Sequence, residues 1–254
     1  MTARKSTVRL AAAADLHVTR GGAGALQPWL TALATSADVL LLGGDLTGDG
    51  HPEEAQVLAR ELAAVRIPII AVLGNHDYHA DKQEEIRKIL TDAGVVVLDG
   101  GHHEVLGIGF AGAKGFAGGF DQRLLEPWGE TLIKQFVREA VDEAVKLESA
   151  LARLNSSRRI VLLHYAPIRG TVEGEPVEIF PFLGSSRLED PINRHGVLAV
   201  FHGHAHHGSL EGRTRAGVPV YNVAQALLRQ RFPDRPPFYV LPISVDETPP
   251  APAS

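Results

Sequence analysis

Short apolar runs alternate with amphipathic stretches through the first half of the chain. Residues 8–14, 38–42, 67–73 and 95–98 are strand-length and nearly all apolar, while 25–36, 52–65 and 81–92 carry apolar residues at helical spacing. Strands without polar alternation, separated by amphipathic helices, predict a sheet covered on both faces. Pro52 suits a first helical position, and Glu53 and Glu54 suit the positive end of the helix dipole. Further on, a strand at 103–110 leads into a glycine-rich loop at 109–119, followed by a long amphipathic helix at 130–154. A strand at 159–163, a helix at 185–195 capped by Ser185 or Ser186, and strands at 198–201, 218–223 and 238–243 complete the pattern.

No repeat or low-complexity linker interrupts this order, which predicts one domain over 1–245 and a frayed, proline-bearing tail at 246–254. Arg4 and Lys5 before the run at 8–14 faintly suggest an export signal. That run is short and contains Arg9, so it is read as the first strand. No apolar run approaches the roughly 18 residues that span a membrane.

Composition narrows the chemistry more than the fold. With 44% hydrophobic and 22% charged residues, the chain of 254 is ordinary for a globular protein. A net charge of −5 supplies no basic field, so nucleic acid is a disfavoured partner. The absence of Cys removes disulfides, thiolate catalysis and Cys-ligated zinc, and suits the cytoplasm.

Five short motifs follow apolar runs: Asp15-Leu-His17, Gly44-Asp45, Gly74-Asn75-His76-Asp77, His164, and Gly203-His204-Ala205-His206. In open α/β folds, sites gather at the carboxyl ends of strands. Strands that each end in Asp, Asn or His therefore predict one site assembled from distant segments. Imidazole and carboxylate are the ligand set for Mn, Fe or Zn. Residues two apart on an extended segment share a side, so each Asp-x-His or His-x-His pair could grip one ion or straddle two. Glycines 43, 44, 74 and 203 let the backbone turn tightly or pass close to ions and phosphate.

This order of motifs, spanning residues 15 to 206, resembles the calcineurin-like metallophosphoesterases. The resemblance implies an α/β fold, a four-layer α/β/β/α sandwich of two mixed sheets. It implies two divalent ions, Mn favoured over Fe or Zn. Asp15, His17, Asp45 and His206 would hold the first, and Asp45, Asn75, His164 and His204 the second. His76 would be a non-ligand residue beside the scissile phosphate, steadied by Asp77. Two ions roughly 3.5–4 Å apart would turn a bridging water into the hydroxide that attacks phosphorus, and His76 would protonate the leaving oxygen.

The same comparison narrows the branch. Purple acid phosphatases have a tyrosine ligand shortly after the Gly-Asp aspartate, where Leu46-Thr47-Gly48 follows here, and Asp77 stands where protein phosphatases have Glu. What remains resembles a compact bacterial phosphodiesterase acting on a cyclic nucleotide or other small diester. Alternatives are a phosphomonoesterase, a nuclease or repair enzyme on the same site, and a non-catalytic interaction module. Selectivity is expected from the loops at 109–128 and 165–187. Asn75, His79, Lys114, Arg169 and Arg187 are candidate substrate contacts, the last beside a possible anion-binding helix start at Ser185-Ser186. His202 is a candidate support for the ligands. His51, His102, His103, His195 and His207 read as surface or turn residues.

Overall fold

The computed structural model describes residues 6–245, so the tail expected at 246–254 lies outside the described residues. In chain order the elements are β1 (Thr7–Ala13), α1 (Gln27–Ser36), β2 (Val39–Gly43), α2 (Pro52–Leu62), β3 (Ile69–Val72), α3 (Gln83–Asp92) and β4 (Val96–Val97). Then come β5 (Gly101–Val105), β6 (Ile108–Gly112), α4 (Thr131–Ala152), β7 (Arg159–Leu162), α5 (Phe180–Leu183) and α6 (Glu189–Arg194). The last are β8 (Val197–His202), β9 (Glu211–Arg213), β10 (Pro219–Asn222), α7 (Gln225–Arg231) and β11 (Tyr239–Ser244).

The strands form two mixed sheets in the orders β11-β1-β2-β3-β4 and β5-β6-β7-β8-β10-β9. β1, β2 and β3 run parallel, as do β6, β7, β8 and β10; β11, β5 and β9 close edges antiparallel. Period-two alternation explains the near-continuous apolar strands, because the central strands are covered on both faces. Leu10, Ala12, Leu41 and Ile70 face the inter-sheet core with Phe110, Ile160, Leu162 and Phe201. Their neighbours Ala11, Ala13, Leu40 and Leu42 instead pack beneath Trp29, Leu33, Leu58, Ile86 and Leu90 of α1, α2 and α3. On the far side, Leu147 and Leu151 of α4 and Ile192 of α6 cover Val161 and Val200. The four-layer α/β/β/α sandwich of two mixed sheets is thus the observed architecture. No helix among the described residues is long and apolar enough to cross a membrane.

Two differences from the sequence reading matter for the site. The single strand expected at 103–110 is a hairpin, β5 and β6, turning at Leu106 and Gly107 with φ of 52° and 78°. Two successive positive φ angles are what a two-residue turn of matching twist requires, and Leu is an unusual residue for the first of them. The glycine-rich segment expected as a loop at 109–119 is largely interior. β6 is buried throughout, and Ala113, Lys114 and Ala117 after it are buried too.

Candidate active site

β1, β2 and β3 of one sheet and β7 and β8 of the other end at a common edge, where the five motifs meet. Asp15, His17 and His206 form one group whose ligand atoms all lie within 4.8 Å of one another. His17, Asp45 and His76 form a second, and Asp45, His164 and His204 a third. Asn75 joins the third group, its Oδ1 2.9 Å from His164 Nε2. All seven expected ligands and His76 therefore converge.

The backbone is bent to bring them there. Seven non-glycine residues among those described have positive φ, and four are Asp15, His17, Asp45 and His204. Strain of this kind persists only where surrounding structure enforces it, and it collects at functional sites. The glycines have a simpler role than expected: they clear room for ligand side chains. A Cβ on Gly44, whose φ is +86°, would sit 2.5 Å from His164 Nδ1, and one on Gly74 would collide with Asp45 Oδ1.

The hydrogen bonds show that the residues fit a cation. His164 is fully buried and its pKa is pushed down to about 3 by that burial, so it is a neutral imidazole. Its Nδ1–H donates to Gly43 O at 2.9 Å, which leaves Nε2 with a lone pair. That lone pair faces Asn75 Oδ1 at 2.9 Å and Asp45 Oδ1 at 3.3 Å. Imidazole nitrogen, amide oxygen and carboxylate oxygen brought together are a donor set that a divalent cation fits. His204 repeats the pattern: burial lowers it to about 3, and Nε2–H donates to Phe182 O at 3.2 Å, freeing Nδ1. His17 Nε2 is buried without any hydrogen-bond partner. An orphaned imidazole nitrogen beside Asp45 is a donor that a metal ion would satisfy.

Asp15 is raised to about 6, mainly by burial and further by Asp45, and its bond to His206 at 3.1 Å raises that histidine above its ordinary value. The pair therefore holds protons in mildly acidic solution that an ion must displace. Metal affinity is expected to fall as pH drops from about 8 to 5, by up to roughly tenfold per unit for each proton released. Calorimetric titration of metal-free protein with Mn²⁺ at several pH values checks this; a flat affinity would refute it.

His76 sits outside the neutral pair. Its Nδ1 is 2.6 Å from Gly48 O, its amide donates to Asp45 Oδ1 at 2.8 Å, and its Nε2 is 3.9 Å from Asp45 Oδ2. Asp77 does not steady the His76 ring as expected. It is fully buried and accepts from the Leu46, Thr47 and Gly74 amides and from Thr47 Oγ1 at 2.6 Å. It thus ties the loop bearing Asp45 to the loop bearing Asn75. Burial raises its pKa to about 6 despite those donors.

The remaining candidates divide. The His79 ring packs against that of His76, with centroids 4.3 Å apart and planes tilted by 41°. Lys114 donates to Gly115 O and lies 4.8–5.5 Å from the Tyr78, Phe116 and Tyr165 rings, its pKa lowered by burial. Arg169 is exposed, pairs with Glu173 and lies over Phe180. Arg187 donates to Leu125 O, and Ser185 Oγ accepts the Arg187 amide, which makes this helix start a cap. Neither arginine contacts a candidate ligand. The loop at 165–187 is not structureless but holds helical turns at Arg169–Thr171 and Val177–Ile179 together with α5.

His202 is buried and lowered to about 4 by burial, so it is neutral. Its Nδ1–H donates to Gly203 O and its Nε2 accepts from Thr171 Oγ1, both at 2.8 Å. It braces the His204–His206 loop with two residues sequence reasoning missed. Asn222, at the end of β10, donates to Ala205 O at 2.7 Å and to Thr171 O, clamping the loop between the two histidines. Asn222 closes β10, a strand that alternates between partly and fully buried positions, so the near-continuous apolar runs that marked the other residues did not mark it. Tyr165, next to His164, was missed as well; its ring centroid is 4.5 Å from that of His204.

Residues 8–208 match the calcineurin-like phosphoesterase family, and the chain belongs to it. Over 77 residues it is 38% identical to a probable cyclic nucleotide phosphodiesterase of Moraxella catarrhalis, a match covering 28% of each chain. Over 65 residues it is 35% identical to the glycerophosphodiester phosphodiesterase GpdQ of Enterobacter lignolyticus, covering 26% of this chain and 23% of that one. The matched stretches thus span about a quarter of each relative's length. Among solved structures, the fold is similar to phosphopantetheinyl hydrolase of Mycobacterium tuberculosis, at a TM-score of 0.66 and 16% identity over 93% of this chain and 96% of that one. It is also similar to TT1561 of Thermus thermophilus, at 0.54 and 16% over 94% and 99%.

Proposed function

We propose that the protein is a binuclear metal-dependent phosphodiesterase acting on a small diester, such as a cyclic nucleotide. The observation that carries this reading is the chain of overlapping ligand groups, joined through His17 and Asp45. One ion would be held by Asp15, His17, Asp45 and His206, the other by Asp45, Asn75, His164 and His204. When bound, the pair would lower the pKa of a coordinated water and neutralise phosphate oxygens.

The chain's own groups do the rest. The carbonyls of Gly43 and Phe182 fix which nitrogen of His164 and His204 faces the centre. His76, with Nδ1 engaged by Gly48, presents Nε2 as the donor to the departing oxygen. Preference for a diester draws on the two curated relatives, both named as phosphodiesterases.

Mn²⁺-loaded protein should turn over bis(p-nitrophenyl) phosphate faster than p-nitrophenyl phosphate, and a panel of cyclic nucleotides, linear diesters and single-stranded DNA should locate the substrate class. Folded, metal-loaded protein that is inert toward all of them with Mn, Fe and Zn would sink the enzyme reading.

A further inference from the structure

Two residues beyond Asp77 the chain sets a second imidazole at the mouth of the site. His76–Tyr78 form a single 3-10 turn, closed by the His79 amide donating to His76 O at 3.1 Å. In that geometry side chains three apart eclipse. The His79 ring accordingly lies over the His76 ring, tilted by 41°. The turn is packed from beneath by Gly50, where a Cβ would lie 2.8 Å from His76 O and 3.0 Å from His79 N.

His79 thereby ends a row of imidazoles, with centroid spacings of 5.6 Å from His206 to His17, 4.5 Å from His17 to His76, and 4.3 Å from His76 to His79. His206 is engaged by Asp15 and His76 by Gly48. The His79 ring is exposed and makes no hydrogen bond to another described residue.

We propose that His79 is a specificity-determining residue that binds the leaving alcohol of the phosphodiester and selects alcohols bearing hydrogen-bonding oxygens, as nucleosides and polyols do. This rests on the reading of His76 as proton donor to the leaving oxygen. That oxygen must lie against His76, and its substituent then extends outward past the ring packed against His76. An imidazole offers one donor and one acceptor in its plane, and a flat face for a planar base. A small alkyl alcohol uses none of these.

The test measures inhibition of bis(p-nitrophenyl) phosphate hydrolysis by the dinucleoside monophosphate TpT and by dimethyl phosphate, with Mn²⁺-loaded protein. His79→Ala is expected to raise the inhibition constant of TpT about fivefold, the effect of one neutral hydrogen bond. The constant for dimethyl phosphate should stay within about twofold, and His79→Gln should recover part of the TpT affinity. Equal weakening of both inhibitors, an unchanged TpT constant, or a wild type that binds TpT no better than dimethyl phosphate would each overturn the assignment while leaving the phosphodiesterase reading intact. Absence of bis(p-nitrophenyl) phosphate turnover in the wild type would overturn both.

Discussion

Asp45→Ala is expected to lose both metal ions and to lower diester turnover on the order of 10³-fold or more. Asp45 belongs to two of the three ligand groups and contacts members of each. Its Oδ1 is 3.3 Å from His164 Nε2, and its Oδ2 is 4.0 Å from His17 Nε2. Removing it leaves His17 without its adjacent charge and His164 facing Asn75 alone. The ions supply several kcal/mol of charge stabilisation, and each 1.36 kcal/mol is a factor of ten, which sets the magnitude. Metal analysis after gel filtration, read beside the rate, decides the matter. Full occupancy in Asp45→Ala would show that the carboxylate does not join the two sets.

His76→Ala is expected to keep its metal and lose roughly 10²- to 10⁴-fold in kcat, the range for removing one positioned proton donor. The split follows from the bonds His76 makes. Its backbone amide, not its ring, holds Asp45 Oδ1, and the ring is anchored to Gly48 O instead of to a ligand. Truncating the ring spares the amide contact. The loss should be smallest for a substrate whose leaving group needs no proton, such as p-nitrophenolate, and larger for an alkoxide. A variant that lost metal along with rate would make His76 a ligand, as its place beside His17 and Asp45 also permits.

The convergence of the site was legible because each of its residues follows a buried strand and is marked by that local context. β7, for example, is four residues long, and its run of apolar residues leads straight to His164. What escaped notice acts across the sequence. Thr47, Thr171 and Asn222 brace the ligand loops through hydrogen bonds to Asp77, His202 and Ala205, and nothing in their own neighbourhoods announces those partners. The hairpin at Leu106 was hidden for a related reason, since a leucine gives no sign that tertiary context will hold it in a left-handed turn. β9 is three residues long and partly exposed, too brief for any periodicity to register.

The left-handed backbone at the ligand positions sets fold against function in a way that melting curves can expose. His17 has a φ of 44° and a buried nitrogen with no partner, so without metal it contributes strain and desolvation to the native state. A left-handed residue with a Cβ costs roughly 1–2 kcal/mol, which glycine does not incur. His17→Gly should therefore melt at or above the wild type when both are stripped of metal. Saturating Mn²⁺ should reverse the order, because only the complete ligand set gains the full stabilisation of binding. Crossed melting orders would mark this as a position where evolution has traded resilience of the empty protein for readiness to capture an ion; a stripped variant melting well below the wild type would deny the trade.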